Sequence, residues 1–188
     1  MPTLLDLPEK LRRQIFAHVL PENIAIDIGS PFKAKHALFH VSTVIENDAW
    51  ATFATINKFY HWVYGMEIDD EKPEISLPRR AFLSHITRLH LIIRARTLVA
   101  ISASHGTARL VLDGARLAKW IGNFERLELL VIGIPKVATP EKINEDLLMR
   151  FLKHVRTAAL VLVDGNMSEI GKSQLQKTIT TSEVKQFI

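Results

Sequence analysis

Phe82 to Leu91 reads FLSHITRLHL, and the same cadence returns downstream as WIGNFERLEL (Trp120 to Leu129) and FLKHVRTAAL (Phe151 to Leu160). The three segments superpose without gaps. Two large apolar residues open each one, a further apolar residue stands fifth, and others stand eighth and tenth. The first half has the spacing of a helix end and the second half the alternation of a strand start. The strands run on as LHLII, LELLVIGI and ALVLV, with helical stretches between them over Thr107 to Ile121 and Ile143 to Val155. The units start at 82, 120 and 151, so they are 38 and then 31 residues apart. That length holds a strand, a loop and a helix, as in a parallel crossover unit. It is also near the period of repeat architectures, whose units cannot bury their apolar faces alone. The segment therefore predicts an α/β fold with a mostly parallel sheet of β-α repeats.

Alternation assigns faces within each strand. Leu89, Leu91 and Ile93 share one face, as do Leu127, Leu129 and Val131, and Leu160 and Leu162. The opposite faces carry His90, Ile92 and Arg94, then Glu128, Leu130 and Ile132, then Val161 and Val163. The last two strands are apolar on both sides, which predicts cover on both faces. Either the N-terminal helices supply the second cover, the expectation preferred here, or that face is an apolar binding surface. His90, Arg94 and Glu128 are its polar positions and make it a candidate second interaction face.

Upstream, LLDLPEKLRRQIFAHVL (Leu4 to Leu20) puts Leu7, Leu11, Ile15 and Val19 on one helical face, with Phe16 and Leu20 beside them. Asp6 and Glu9 have the spacing of a capping box, Pro8 fits a first turn, and Pro21 stops the helix. A helix over Pro8 to Leu20 is expected. Asn23 to Phe32 reads as a short extended piece, Ala34 to Thr55 as one helix or a bent pair, and Lys58 to Val63 as an aromatic strand. The charged loop DDEKPEIS (Asp69 to Ser76) is the best internal boundary. It divides the chain into a helical segment over 1–65 that ends in the aromatic strand and a β-α repeat region over 66–188, packed together as one unit.

The composition suits a chain that folds. The 188 residues are 47% hydrophobic and 23% charged, which is ordinary for a globular protein with a core. With no cysteine there is no disulfide framework, thiolate metal site or cysteine nucleophile, which fits a reducing compartment. No apolar run nears the ~20 residues of a membrane span. Asp6, Glu9, Lys10, Arg12 and Arg13 break up any secretory signal. A cytoplasmic or nuclear protein is expected, with no membrane partner. The net charge of +4 comes without a Lys/Arg block, so nucleic acid is not the expected partner, although Phe59, Tyr60 and Trp62 are aromatics of a kind that stack on bases.

Reactive constellations are missing from the sequence. There is no GxGxxG, P-loop, GxSxG or HExxH. His90, Ser102, Ser104 and His105 are near one another in sequence only, and a triad is set in space. His36 and His40, with Glu46 and Asp48, have a spacing that metals use, but the same spacing is common in ordinary helices. Asp69, Asp70 and Glu71 read as a solvated turn. The reading is a non-enzyme with no catalytic residue, no cofactor and no metal.

The opening stretch resembles an F-box. It is similar in particular to the F-box-like domains of filamentous fungi, which open with a pattern like LLDLPxELRxxIYxxVL. Leu4, Leu5, Asp6, Leu7, Pro8, Leu11, Arg12, Ile15, Val19 and Leu20 match it, and Phe16 stands at the tyrosine. A second family segment, ALLxVSxxIxxEAxxxFYxxNxF, is matched by Ala37, Leu38, Val41, Ser42, Ile45, Ala49, Phe53, Asn57 and Phe59, with Asp48 at the glutamate. FLSHITRLHL resembles the strand that follows in that family. The resemblance covers most of residues 4–94. The fold it implies is α/β or α+β, with short F-box-like helices followed by β-α repeats resembling a short leucine-rich-repeat array. It also implies a protein–protein interaction module, a substrate-recognition subunit that docks the Skp adaptor of an SCF ubiquitin ligase and brings it an unknown substrate protein. Leu7, Pro8, Leu11 and Ile15 would make that contact. Lys10, Thr43, Val44, Ala54 and Thr55 depart from the pattern. The first three motivate an alternative, a non-ligase scaffold or regulatory protein that keeps the fold and packs Leu11 and Ile15 internally. A nucleic-acid binder is a further alternative.

Overall fold

The computed structural model describes residues 3–28, 37–63, 80–93, 107–134, 145–165 and 167–180, with side chains 80–81, 107–113 and 147 outside that description. Helices and strands alternate along the chain: α1 (Glu9–Val19), β1 (Ala25–Asp27), α2 (Thr43–Ile56), β2 (Lys58–Val63), α3 (Arg80–Leu83), β3 (Arg88–Ile93), α4 (Thr107–Ile121), β4 (Leu129–Ile134), α5 (Glu145–Leu152), β5 (Leu160–Gly165) and α6 (Glu169–Ile179). Single 3-10 turns at Leu4–Asp6 and Ala37–His40 precede α1 and α2.

The five strands form one sheet in the order β1-β2-β3-β4-β5, and every neighbouring pair is parallel. An order that never reverses, joined by crossovers of one hand, keeps the helices on one side of the sheet. Burial follows that geometry. Phe59 and Val63 of β2, Leu89, Leu91 and Ile93 of β3, and Leu130, Ile132 and Ile134 of β4 are buried, as is Val161 of β5. They share one hydrophobic core with Phe16 of α1, Phe53 of α2, Leu148 of α5 and Leu175 of α6. The sheet crosses the expected boundary at residue 65, because β2 pairs with β3 from Phe59↔Leu89 to Val63↔Ile93.

The register corrects the face assignment. Superposing the repeats puts Leu127 opposite Leu89, but the ladder puts Leu130 there. The offset from β3 to β4 is 41, as in Arg88↔Leu129, and not the 38 of the superposition. The offset from β4 to β5, Leu129↔Leu160, is the 31 expected. An odd slip moves every side chain to the other face. Leu129, Val131, Leu160 and Leu162 therefore lie on the face of His90 and Ile92, opposite the core.

Local chemistry sets the helix ends. The extended Ser42 accepts a hydrogen bond from the Ile45 amide at 3.3 Å. This cap separates α2 from the turn at Ala37–His40, so of the two forms expected for this stretch, one helix or a bent pair, the chain takes the divided one. Ser168 caps α6 in the same way, accepting from the Gly171 amide at 3.0 Å, and Glu145 of α5 fixes Ser168 through its amide and hydroxyl at 2.8 and 2.7 Å. The capping box forms one turn earlier than its spacing suggests. Asp6 accepts from the amide and hydroxyl of Thr3, while α1 begins after Pro8 with no side-chain cap.

Aromatic rings fill the space between α2 and the sheet. Phe39 stacks on Trp50 at 3.9 Å between centroids, Trp50 meets Phe82 at 4.5 Å, and Phe82 meets Phe59 of β2 edge-on at 5.4 Å. Such pairs add about 0.5–1.5 kcal/mol each beyond the area they bury.

Candidate functional site

The side of α1 that faces the core is not its leucine row. Residues on a helix turn by about 100° each, so Arg12, Phe16 and Leu20 line up one position round from Leu11, Ile15 and Val19. The Arg12 row is the buried one. Arg12 Nε donates to Asp48 Oδ2 of α2 at 2.7 Å, and its Nη1 donates to the Leu7 carbonyl. Arg13 Nε stands 3.5 Å from Asp48 Oδ1, and its Nη2 is 2.7 Å from Glu9. Asp48 thus faces two guanidinium groups in a nearly dry setting. A second clamp holds the far end of the helix pair. Asn57 Oδ1 accepts from the Ile24 amide at 2.8 Å, and its Nδ2 donates to the carbonyls of Pro21 and Phe53, both at 3.0 Å. One clamp is near the starts of α1 and α2 and the other just past their ends, so the two helices run side by side in one direction.

That fixation leaves the leucine row on the surface. Leu11, Ile15 and Val19 are 46%, 41% and 50% exposed. Leu5 and Pro8 are exposed too, and Leu7 is half-buried, its carbonyl held by Arg12. The expectation that Leu11 and Ile15 pack internally fails. The core contacts of α1 are made by Phe16 and Leu20, at 1% and 4% exposure. The arrangement is a rigid, partly apolar ridge with its own backing, the form that helix-in-groove recognition uses.

The N-terminal helices do not supply the expected cover of the second sheet face either. The rings of α2 join the same core as the inner side chains of β2, so α1 and α2 lie in the common helix layer. Leu160 and Leu162 are 62% and 43% exposed. His90 is exposed on this face, in register with Tyr60 and Val131. Glu128, also exposed, precedes β4 and donates its amide to the Thr87 carbonyl at 2.8 Å, and the register that brings Leu129 and Val131 to the His90 face moves Glu128 off it. Arg94 lies outside the described residues.

His61 was not singled out by its sequence context. Its ring lies 4.5 Å from that of Trp120, and its Nδ1 is 3.8 Å from Asp27. Both His61 Nδ1 and Trp120 Nε1 are buried with no hydrogen-bond partner among the described residues. Burial lowers the pKa of His61, and Asp27 opposes that shift in part.

Among the described residues no group of three or more metal-ligating side chains comes together. Asp48, considered as a ligand with the histidines, is engaged by Arg12. His36, Asp69, Asp70, Glu71, Ser102, Ser104 and His105 lie outside the described residues. No described helix is long and apolar enough to cross a membrane. Comparison with known proteins gives no match, whether to family models, to curated proteins or to solved structures.

Proposed function

We propose that the chain is a protein–protein interaction module that presents the α1 ridge to a partner. By its F-box-like sequence that partner is the Skp adaptor of an SCF ubiquitin ligase, and the chain is a substrate-recognition subunit. The observation that carries the reading is the split of α1 into two apolar rows. Phe16 and Leu20 are spent on the chain's own core, while Leu11, Ile15 and Val19 remain at the surface. The two segments that carry the resemblance also meet, Arg12 from one holding Asp48 from the other. The sequential parallel sheet with helices on one side supports a likeness to leucine-rich-repeat arrays, whose bare sheet face is suited to a second partner.

Leu7, Pro8, Leu11 and Ile15 would be the anchors. Truncating a central buried anchor of an interface costs about 1–3 kcal/mol or more, and each 1.4 kcal/mol is about tenfold in affinity. Calorimetric titration of the chain with a purified fungal Skp adaptor tests the reading. Binding is expected, with a loss of tenfold or more on combining Leu11→Asp with Ile15→Asp. A chain that keeps its helical circular dichroism yet binds no adaptor would refute the ligase role.

A further inference from the structure

The open sheet face presents a charge pattern as well as an apolar surface. Parallel register aligns Ala25, Lys58, Arg88, Leu129 and Leu160 across the five strands. Lys58 and Arg88 are both exposed, and among the described residues neither forms an ion pair. Beside them, on the same face, stand Tyr60 and His90, with the Tyr60 ring edge-on to Trp62 at 6.1 Å. Towards β5 the face becomes aliphatic through Leu129, Val131, Leu160 and Leu162, the last two exposed. The far end of β5 carries the exposed carboxylate of Asp164. The face is therefore basic and aromatic at the start of β2 and β3, apolar across β4 and β5, and acidic at the opposite corner. Asp27 of β1, in register with Tyr60, adds one partly buried carboxylate to this face, leaving two cations, Lys58 and Arg88, against one carboxylate there, while Glu128, level with Thr87, falls on the other side by register.

We infer that this face binds a protein segment in which a pair of carboxylates is followed, three to five residues on, by two large apolar side chains. Charge complementarity selects the acidic end. Lys58 and Arg88 attract it, and Asp164 repels it from the other corner, which fixes the direction in which the segment crosses the sheet. The spacing follows from the sheet itself. Strands lie about 4.8 Å apart, so β2 or β3 is about 10–15 Å from β5, the reach of about three to five extended residues. A nucleic acid matches the cations but leaves Leu160 and Leu162 without a partner, so a peptide fits the whole surface better. This surface is separate from the α1 ridge, and its occupancy does not depend on adaptor docking.

The test is fluorescence anisotropy with the full chain and three labelled probes. One is a peptide of about ten residues with two glutamates, a Gly-Ser spacer of about three residues and two leucines. The second has lysines for the glutamates, and the third is a single-stranded DNA of about twenty nucleotides. The acidic peptide should bind at least tenfold more tightly than the basic one. Lys58→Glu with Arg88→Glu should reverse that order. Leu160→Ser with Leu162→Ser should weaken the acidic peptide by about threefold or more, while Leu11→Asp in α1 leaves it unchanged. All these positions are exposed, and an unaltered circular dichroism spectrum confirms that each variant is folded. Equal binding of the two peptides, no binding of the acidic peptide at about 1 mM, saturation by DNA alone, or an order that charge reversal does not change would overturn the inference.

Discussion

The two faces of the sheet both carry leucine and valine, and these have opposite fates. Leu89, Leu91, Leu130 and Ile132 face the helices and are sealed, each at 1% exposure or less. Leu129 and Val131, which alternate with Leu130 and Ile132 in β4, and Leu160 and Leu162 of β5 point the other way and are half-buried or exposed. Helix α1 repeats the contrast at smaller scale, with Phe16 inside and Ile15 outside. Hydrophobicity therefore does not decide burial in this molecule. Topology does, because an unreversed parallel order puts the described helices in one layer and none of them on the other face. An apolar residue on the uncovered side contributes little to folding, and so it is available for recognition.

The contrast can be tested first where one charged side chain belongs to the sealed side. Removing one partner of a buried ion pair costs about 3–5 kcal/mol, since the other charge stays buried. Arg12→Ala should lose about 2–4 kcal/mol in urea denaturation, the lower part of that range reflecting Arg13, which stays 3.5 Å from Asp48. Arg12→Met combined with Asp48→Leu, which leaves no orphan charge, should recover most of it. A loss of less than about 1 kcal/mol for Arg12→Ala would show that water reaches the pair. Next come the two leucine sets. Leu91→Ala or Leu130→Ala should cost about 2–5 kcal/mol, but Leu160→Ala or Leu162→Ala no more than about 0.5 kcal/mol. Similar losses for both sets would mean that the open face is covered.

Asn57→Ala should cost about 1–3 kcal/mol, because the Ile24 amide and two carbonyls lose their partner together. The smallest effect is with pH. The folded pKa of His61 lies below its ordinary value of 6.5, with burial the main cause. As pH falls through 6.5 the unfolded chain therefore binds a proton that the folded chain does not, and stability declines until the lowered pKa is reached. His85 is lowered too, by burial and by Arg126 and Arg13. His61→Phe should thus flatten the decline in urea midpoint between about pH 7.5 and 5.5 without abolishing it. An unchanged slope would show that His61 titrates normally in the folded chain.

Much of this architecture is legible in the sequence. The strand expected at Lys58 to Val63 and the helix expected at Thr107 to Ile121 have the observed bounds, because apolar alternation and helical spacing are local signals. The register between units is not local. A gapless superposition cannot anticipate the three extra residues between β3 and β4, and that odd number reverses which face of β4 is core. The Arg12–Asp48 pair spans 36 residues, and no periodic pattern announces a charge as a core residue. Its one local sign is that Arg12 continues the row of Phe16 and Leu20, a row easily overlooked beside the more conspicuous Leu7, Leu11, Ile15 and Val19. The candidate docking residues were legible as a row, but their exposure depended on where α2 lies.

The most direct test of the account is a paired measurement on one variant, Leu11→Ala with Ile15→Ala. Its urea midpoint and its affinity for a purified Skp adaptor would be read against those of the unmodified chain. The account predicts a midpoint shifted by less than about 0.5 kcal/mol in stability and an affinity at least tenfold weaker. A variant that loses several kcal/mol of stability while binding the adaptor unchanged would place that row inside the fold and contradict it.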